Sequence, residues 1–290
     1  MALPWRELLS LTADPVVTQT AAPLDRFERA ESRAWMEIQR SVDPAFRDRF
    51  GVEVHEVDGS VVLLAPKTDM LAQNRVWMPG SAPLLREETL DGVIALFRAR
   101  KAERFVLHWR PDAQPAEAPA WFAARGFRSS HPMAKLFRQT DATLAYASDV
   151  EVIEIAAARA GEFGMVAALG SELGEAMAPG FNSTVGLRGW THYLAMYEGR
   201  PIAAALLNLD GGIGWCGLAG TLPAFRGRGA QSALLTRRVR DAALRGCAWV
   251  VCETMAETAE RPNPSFRNMR RLGFELAYVR PNFILALNPA

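Results

Sequence analysis

Thr221-Leu-Pro-Ala-Phe-Arg-Gly-Arg-Gly-Ala-Gln-Ser-Ala-Leu-Leu235 is the stretch that decides how this chain is read. An apolar, glycine-containing strand over 214–220 runs into Pro223, then into Gly227 and Gly229, which are flanked by Arg226 and Arg228. A helical pattern follows at once, with Leu234, Leu235, Val239, Ala242 and Ala243 at helical spacing. Such a loop offers bare backbone amides and the positive end of a helix dipole to a phosphate group. Its glycines let the backbone approach without a Cβ in the way. A nucleotide P-loop is disfavoured because no GxxxxGK[ST] occurs, and a dinucleotide fingerprint needs three glycines where there are two.

Outward from this loop, the second half of the chain reads clearly. Residues 149–157 alternate as a half-buried strand, and 159–173 read as a helix. Three strands follow at 191–197, 201–209 and 213–219; Asp210-Gly-Gly212 between the last two is a hairpin signal. The helix over 230–244 leads to a short, continuously apolar strand at 248–252, of the kind buried in a sheet centre. A helix over 264–271 stops at Gly273, and strands at 274–280 and 283–287 close the domain. The first half echoes this order. Trp121-Phe-Ala-Ala-Arg-Gly126-Phe127 mirrors Asn268-Met-Arg-Arg-Leu-Gly273-Phe274, with glycines 273 − 126 = 147 residues apart. Residues 104–109 match the strand at 248–252, and 88–100 match the helix at 230–244. Ahead of that helix, Ser81-Ala-Pro-Leu-Leu-Arg-Glu87-Glu88 has no glycine pair and sets two carboxylates where a phosphate would lie.

The Arg226-x-x-Gly229-x-x loop, the order of elements around it and the later helix-Gly273-Phe274 segment together resemble the GCN5-related N-acetyltransferases (GNATs) over residues 149–290. The loop departs from that family at Gln231, where Gly or Ala is usual. The resemblance implies a mixed α/β (α+β) fold of two GNAT-like domains, each a central mixed sheet flanked by helices. Residues 1–140 would form a degenerate domain without cofactor, and 149–290 the catalytic one, joined by a polar linker near 139–148. It implies acetyl-CoA as co-substrate. The pyrophosphate would be held by Arg226, Gly227, Arg228, Gly229, Ala230, Gln231 and Ser232. Gly220 and Thr221 would pair with the pantetheine like an added strand, and Ser265 and Asn268 would contact the cofactor from the other side.

Glu253, at the end of the strand 248–252, is the candidate base that would face the reacting amine, a solvated strand end or a helix-capping partner being the alternative. Tyr278 is the second catalytic candidate, set against a reading as core tyrosine. Glu154, Glu172 and Glu175 are further carboxylates to consider. Many GNATs carry an acid tyrosine four residues before the Gly-Phe glycine; here that position is Met269.

Composition narrows the function classes. The 290 residues are 49% apolar, ample for sizeable cores, and a net charge of +1 provides no global field for nucleic acid or an anionic membrane. Cys216, Cys247 and Cys252 show no CxxC spacing, which fits buried reduced thiols in a cytoplasmic protein. His55, His108 and His131 show no ligand spacing, so no metal site is expected, and His192 on a strand reads as packing. The start, Met-Ala-Leu-Pro-Trp-Arg-Glu, lacks the apolar run of a signal peptide, and no later run spans a membrane. The expectation is an N-acetyltransferase acting on a small-molecule amine, as a monomer or homodimer, the alternative being a non-catalytic acyl-CoA sensing module.

Overall fold

The computed structural model describes residues 22–78 and 85–287. The signal-peptide reading at Met1–Glu7 and residues 81–84 of the acidic segment lie outside it. In chain order, the first half gives α1 (Leu24–Ser41), α2 (Pro44–Phe50), β1 (Glu53–Val57), β2 (Ser60–Leu64) and β3 (Arg75–Trp77). Then come α3 (Glu87–Ala99), β4 (Arg104–His108), α4 (Ala118–Ala124), β5 (Arg128–Ser129) and β6 (Met133–Gln139). The second half gives β7 (Glu151–Glu154), α5 (Ala160–Gly170), α6 (Ala178–Asn182), β8 (Trp190–Tyr197), β9 (Arg200–Asp210), β10 (Ile213–Trp215) and β11 (Gly220–Thr221). It ends with α7 (Ala230–Leu244), β12 (Trp249–Met255), α8 (Pro264–Arg271), β13 (Glu275–Arg280) and β14 (Asn282–Ala286). No described helix is long and apolar enough to cross a membrane.

Two compact units emerge, and they interleave along the chain instead of dividing once at the linker near 139–148. Among the described residues the first gathers 22–25, 44–78, 85–134 and 277–287, and the second 26–43 and 135–276. One sheet runs β1-β2-β3-β4-β14-β5; the other runs β13-β6-β12-β10-β9-β8-β7, with β11 on β9. Read from opposite ends, the two orders correspond: β3 and β4 form the parallel pair of the first, β10 and β12 that of the second. The penultimate position is exchanged. β14, from the end of the chain, sits antiparallel between β4 and β5, and β6, from the first half, sits between β13 and β12.

This corrects the expectation that 283–287 close the second domain. Apolar alternation shows that a strand has a buried face but not which sheet receives it. In the first unit Phe283 packs on Phe122, ring centroids 5.1 Å apart, and Leu285 joins the core of Phe97, Phe105 and Phe127. In the second unit α1 packs on the sheet through aromatic contacts. Phe27 meets Phe137 and Trp249 at 5.5 and 6.2 Å, and Trp35 meets Trp215 at 5.9 Å. Burial of such rings is the dominant favourable term here.

Candidate active site

The loop between β11 and α7 takes the conformation its glycines allow. After one 3₁₀ turn at Pro223–Phe225, Gly227 and Gly229 both adopt left-handed backbone, φ +85° and +77°. Gly229 is the residue that caps α7, and no side chain caps the first-turn amides of this 15-residue helix. Its first turn carries no acidic residue. Arg226 and Arg228 are exposed beside it; Arg226 is ion-paired to Glu172, and the Arg228 guanidinium lies 4.3 Å from the centre of the Tyr197 ring. Residues 146–149 line an open cavity of about 420 Å³ together with Gly227, Arg228 and Gly229, so the 139–148 segment reaches this loop.

The sheet opens next to the loop, for a reason visible in the pairing. β10 follows β12 only as far as Trp215, with the Cys216 amide adding one bond to Val251. On its other side, Trp215 pairs with Asn208 and Gly220 with Ala204, so five steps of one strand face four of the other, which is a bulge. At the bulge Leu218 takes φ +40°, and a Cβ on Gly217 would sit 2.1 Å from the Trp215 ring. Arg238, from α7 and almost wholly buried, donates to the carbonyls of Leu206 (3.1 Å) and Gly217 (3.5 Å). A buried arginine thus supplies a donor to the Leu206 carbonyl at the bulge, and a second donor to the Gly217 carbonyl, which also accepts from the Leu206 amide at 3.4 Å.

Glu253 lies within β12, which runs three residues beyond the expected end at 252. It shares the face of the sheet covered by α1 with Trp249. There the ammonium of Lys135, on β6, meets three carboxylates: Glu31 in a close ion pair, and Glu28 and Glu253 at 3.5 Å each. Lys135 and Glu31 are fully buried, whereas Glu253 retains 14% of its exposure and Glu28 19%. On the opposite face Cys252 lies against Met269, 3.5 Å between sulfurs.

No protein-family profile matches the sequence, and no curated protein matches it either. Solved structures do match, over nearly the whole chain. A GCN5-related N-acetyltransferase from Kribbella flavida superposes with a TM-score of 0.64 at 16% identity, covering 91% of this chain and 96% of its own. One from Sphaerobacter thermophilus gives 0.59 at 17%, with 93% and 95% covered. A tandem GNAT protein from the clavulanic acid biosynthesis pathway gives 0.58 at 15%, with 93% and 98% covered. The chain has the GNAT fold.

On the GNAT fold, the residues named from sequence gather in part. Gln231, the departure from the family pattern, donates to the Ser265 hydroxyl at 2.6 Å and accepts from the Asn268 amide at 2.9 Å. These three candidates are therefore one hydrogen-bonded link between α7 and α8. Ala230 and Ser232 are buried in the first turn of α7. Gly220 and Thr221 pair with β9 alone, and Gly220 has a packing reason to be glycine: a Cβ there would lie 2.6 Å from the backbone of Gly170 on α5. Tyr278 is buried, 5% exposed, on β13. Glu154 is held by Arg245 at 3.2 Å, and Glu172 by Arg226. His192 donates to or accepts from Thr184 at 3.1 Å and stands edge-on to Phe163; burial lowers its pKa to about 4. Burial pushes all three cysteine thiols up, which disfavours their thiolate forms.

Sequence reasoning missed Lys135, Glu28, Glu31 and Arg238. The spacing of Glu28 and Glu31, three apart, could have marked a common helix face, but nothing local ties them to a strand some hundred residues away. Among the described residues no group of three His, Cys, Asp or Glu side chains is arranged to hold a metal.

Proposed function

We propose that this protein is an N-acetyltransferase that moves an acetyl group from acetyl-CoA to a small primary amine, in the cytoplasm. The observation that carries the reading is the uncapped, glycine-lined N-terminus of α7 lying next to the bulge where β10 leaves β12. A diphosphate fits such a site: free amides, a helix dipole, two flanking arginines and no carboxylate in the first turn all favour an anion. The backbone of Gly227 to Gln231 would hold it, with Arg226 and Arg228 beside it. Gly220 and Thr221 would run along the pantetheine, and Ser265 and Asn268 would lie on its far side. The first unit would bind no cofactor, since Glu87 and Glu88 open α3.

When bound, acetyl-CoA supplies an activated thioester. The residues of this chain must then supply a proton acceptor, because an alkylammonium of pKa ~10.4 leaves about one amine in a few thousand nucleophilic at pH 7, equal to roughly 4–5 kcal/mol. Glu253 accepts that proton, directly or through water, as the C–N bond forms and the C–S bond breaks. The thiol, of pKa ~8.5, leaves as thiolate without needing an acid, so Met269 in the usual tyrosine position is tolerable. A sensing module is the second reading, favoured by that methionine. Calorimetry with CoA, followed by thiol release from acetyl-CoA across a panel of amines, separates the two. The enzyme binds CoA and frees thiol only with an acceptor present; binding without thiol release under any acceptor supports the sensor, and no CoA binding overturns both.

A further inference from the structure

The linker between the two halves of the chain carries an inference about what the α7 loop recognises, and it rests on the reading of that loop as the acetyl-CoA site. We infer that Tyr146 is a specificity-determining residue: its ring takes the purine nucleoside end of the cofactor, so that tight binding requires the nucleotide as well as the diphosphate.

Residues 140–149 lead from one end of α7 to the other. Just past the C-terminal end of α7, the Thr140 amide donates to the Ala248 carbonyl (3.1 Å) and the Thr140 hydroxyl to the Cys247 carbonyl (2.6 Å). A turn follows, closed by the Thr143 amide and hydroxyl on the Asp141 carboxylate at 2.8 and 2.7 Å. At the far end the Ser148 hydroxyl accepts from the Val150 amide at 3.0 Å, and β7 begins at Glu151. Anchored at both ends, the segment sets Tyr146 beside Gly229. The hydroxyl and one edge of the ring lie 2.8 to 3.5 Å from the position a Cβ on Gly229 would take. Tyr146 is still 41% exposed, and it lines the cavity that residues 146–149 form with Gly227, Arg228 and Gly229.

That cavity brings together three chemistries. From the loop, Arg228 suits a phosphate oxygen. From the linker, the Asp149 carboxylate repels phosphate and accepts from hydroxyl or amino groups. Tyr146 supplies an aromatic face, on which any nucleobase can stack. A simple anion would use the first of these alone, whereas a nucleoside phosphate uses all three. The direction of the cofactor agrees. One substituent of the diphosphate runs along Gly220 and Thr221, and the cavity between residues 146–149 and the loop receives the other.

Calorimetry on the full chain tests this with CoA and its two parts, the parts read by competition against CoA. Pantetheine 4′-phosphate lacks the nucleotide, and adenosine 3′,5′-bisphosphate lacks the pantetheine. Tyr146→Ala should weaken CoA and the bisphosphate by about tenfold or more, and leave pantetheine 4′-phosphate within about twofold. Tyr146→Phe keeps the ring and should bind all three as the wild type does. The inference is overturned by unchanged CoA affinity in Tyr146→Ala, or by a bisphosphate that does not compete with CoA in the wild type. An equal loss for CoA and pantetheine 4′-phosphate also overturns it, because the linker would then only shape the loop. So does a loss in Tyr146→Phe as large as in Tyr146→Ala, which would give the role to the hydroxyl beside Gly229. A wild-type chain that binds no CoA is a separate result: it removes the acetyl-CoA reading of the loop, and the role of Tyr146 with it.

Discussion

At the scale of single residues, Gly229 does two things that another side chain cannot. It holds φ +77°, which costs a non-glycine residue on the order of 1–2 kcal/mol, and it leaves the α7 amides open. An added Cβ would come within 2.8 Å of the Tyr146 hydroxyl, the far end of a flexible side chain, so the clash itself is cheap to relieve. The larger effect is a blocked approach to the backbone. Gly229→Val should therefore lose CoA binding by about a hundredfold or more while the fold melts only a few degrees lower; unchanged affinity by calorimetry would misplace the site. His192 makes a different forecast. The folded imidazole titrates near 4 and the unfolded one at ~6.5, so the unfolded chain binds more protons between those values. Its contribution is complete above pH ~6.5 and is lost as pH falls toward 4, amounting to about 2–4 kcal/mol. Urea unfolding at pH 7 and 4.5 should show that loss, and His192→Gln should flatten it. Equal acid sensitivity in the variant would sink the assignment.

At the scale of elements, legibility follows from whether the cause is local. The bounds of α7, 230–244, can be read from its sequence because periodic apolar residues and a glycine start are sequence-local signals. β10 stops at Trp215 instead of running to 219 because the bulge answers to Arg238, a helix residue later in the chain. The Gln231–Ser265–Asn268 link, likewise, joins positions 34 and 37 apart. Arg238 thus makes an element-scale prediction. Arg238→Met keeps the aliphatic stem but leaves the Leu206 carbonyl without its buried charged donor, and the Gly217 carbonyl with the Leu206 amide alone, a cost of about 2–4 kcal/mol. The bulge should lose its shape with it, so CoA affinity should fall along with the melting temperature. A variant that melts lower yet binds CoA normally would show that the bulge does not depend on this arginine.

At the scale of the molecule, the internal repeat was visible in the two Gly-Phe segments, but the exchange between its halves was not. Both β6 and β14 look like ordinary half-buried strands, and hydrophobic pattern is the same whichever sheet takes them. The exchange changes what a fragment can do. Residues 149–290 contain the whole α7 loop and, taken as a contiguous domain, would be expected to bind CoA alone. They lack β6, which separates β13 from β12, and α1, which covers Trp249 and Trp215. Residues 1–148 in turn lack β14, which separates β4 from β5. Each fragment leaves a gap inside a sheet, with unpaired ladder groups and uncovered apolar faces, a combination that favours aggregation over folding. Expressed singly, neither should melt cooperatively, and 149–290 should bind no CoA. Expressed together, each supplies the strand the other sheet is missing, so a stoichiometric complex should form, melt cooperatively and bind one CoA per pair. Full-affinity CoA binding by 149–290 alone, with a sharp melt, would show that the exchanged strands are dispensable; two CoA per pair would mean that the first unit also holds a site.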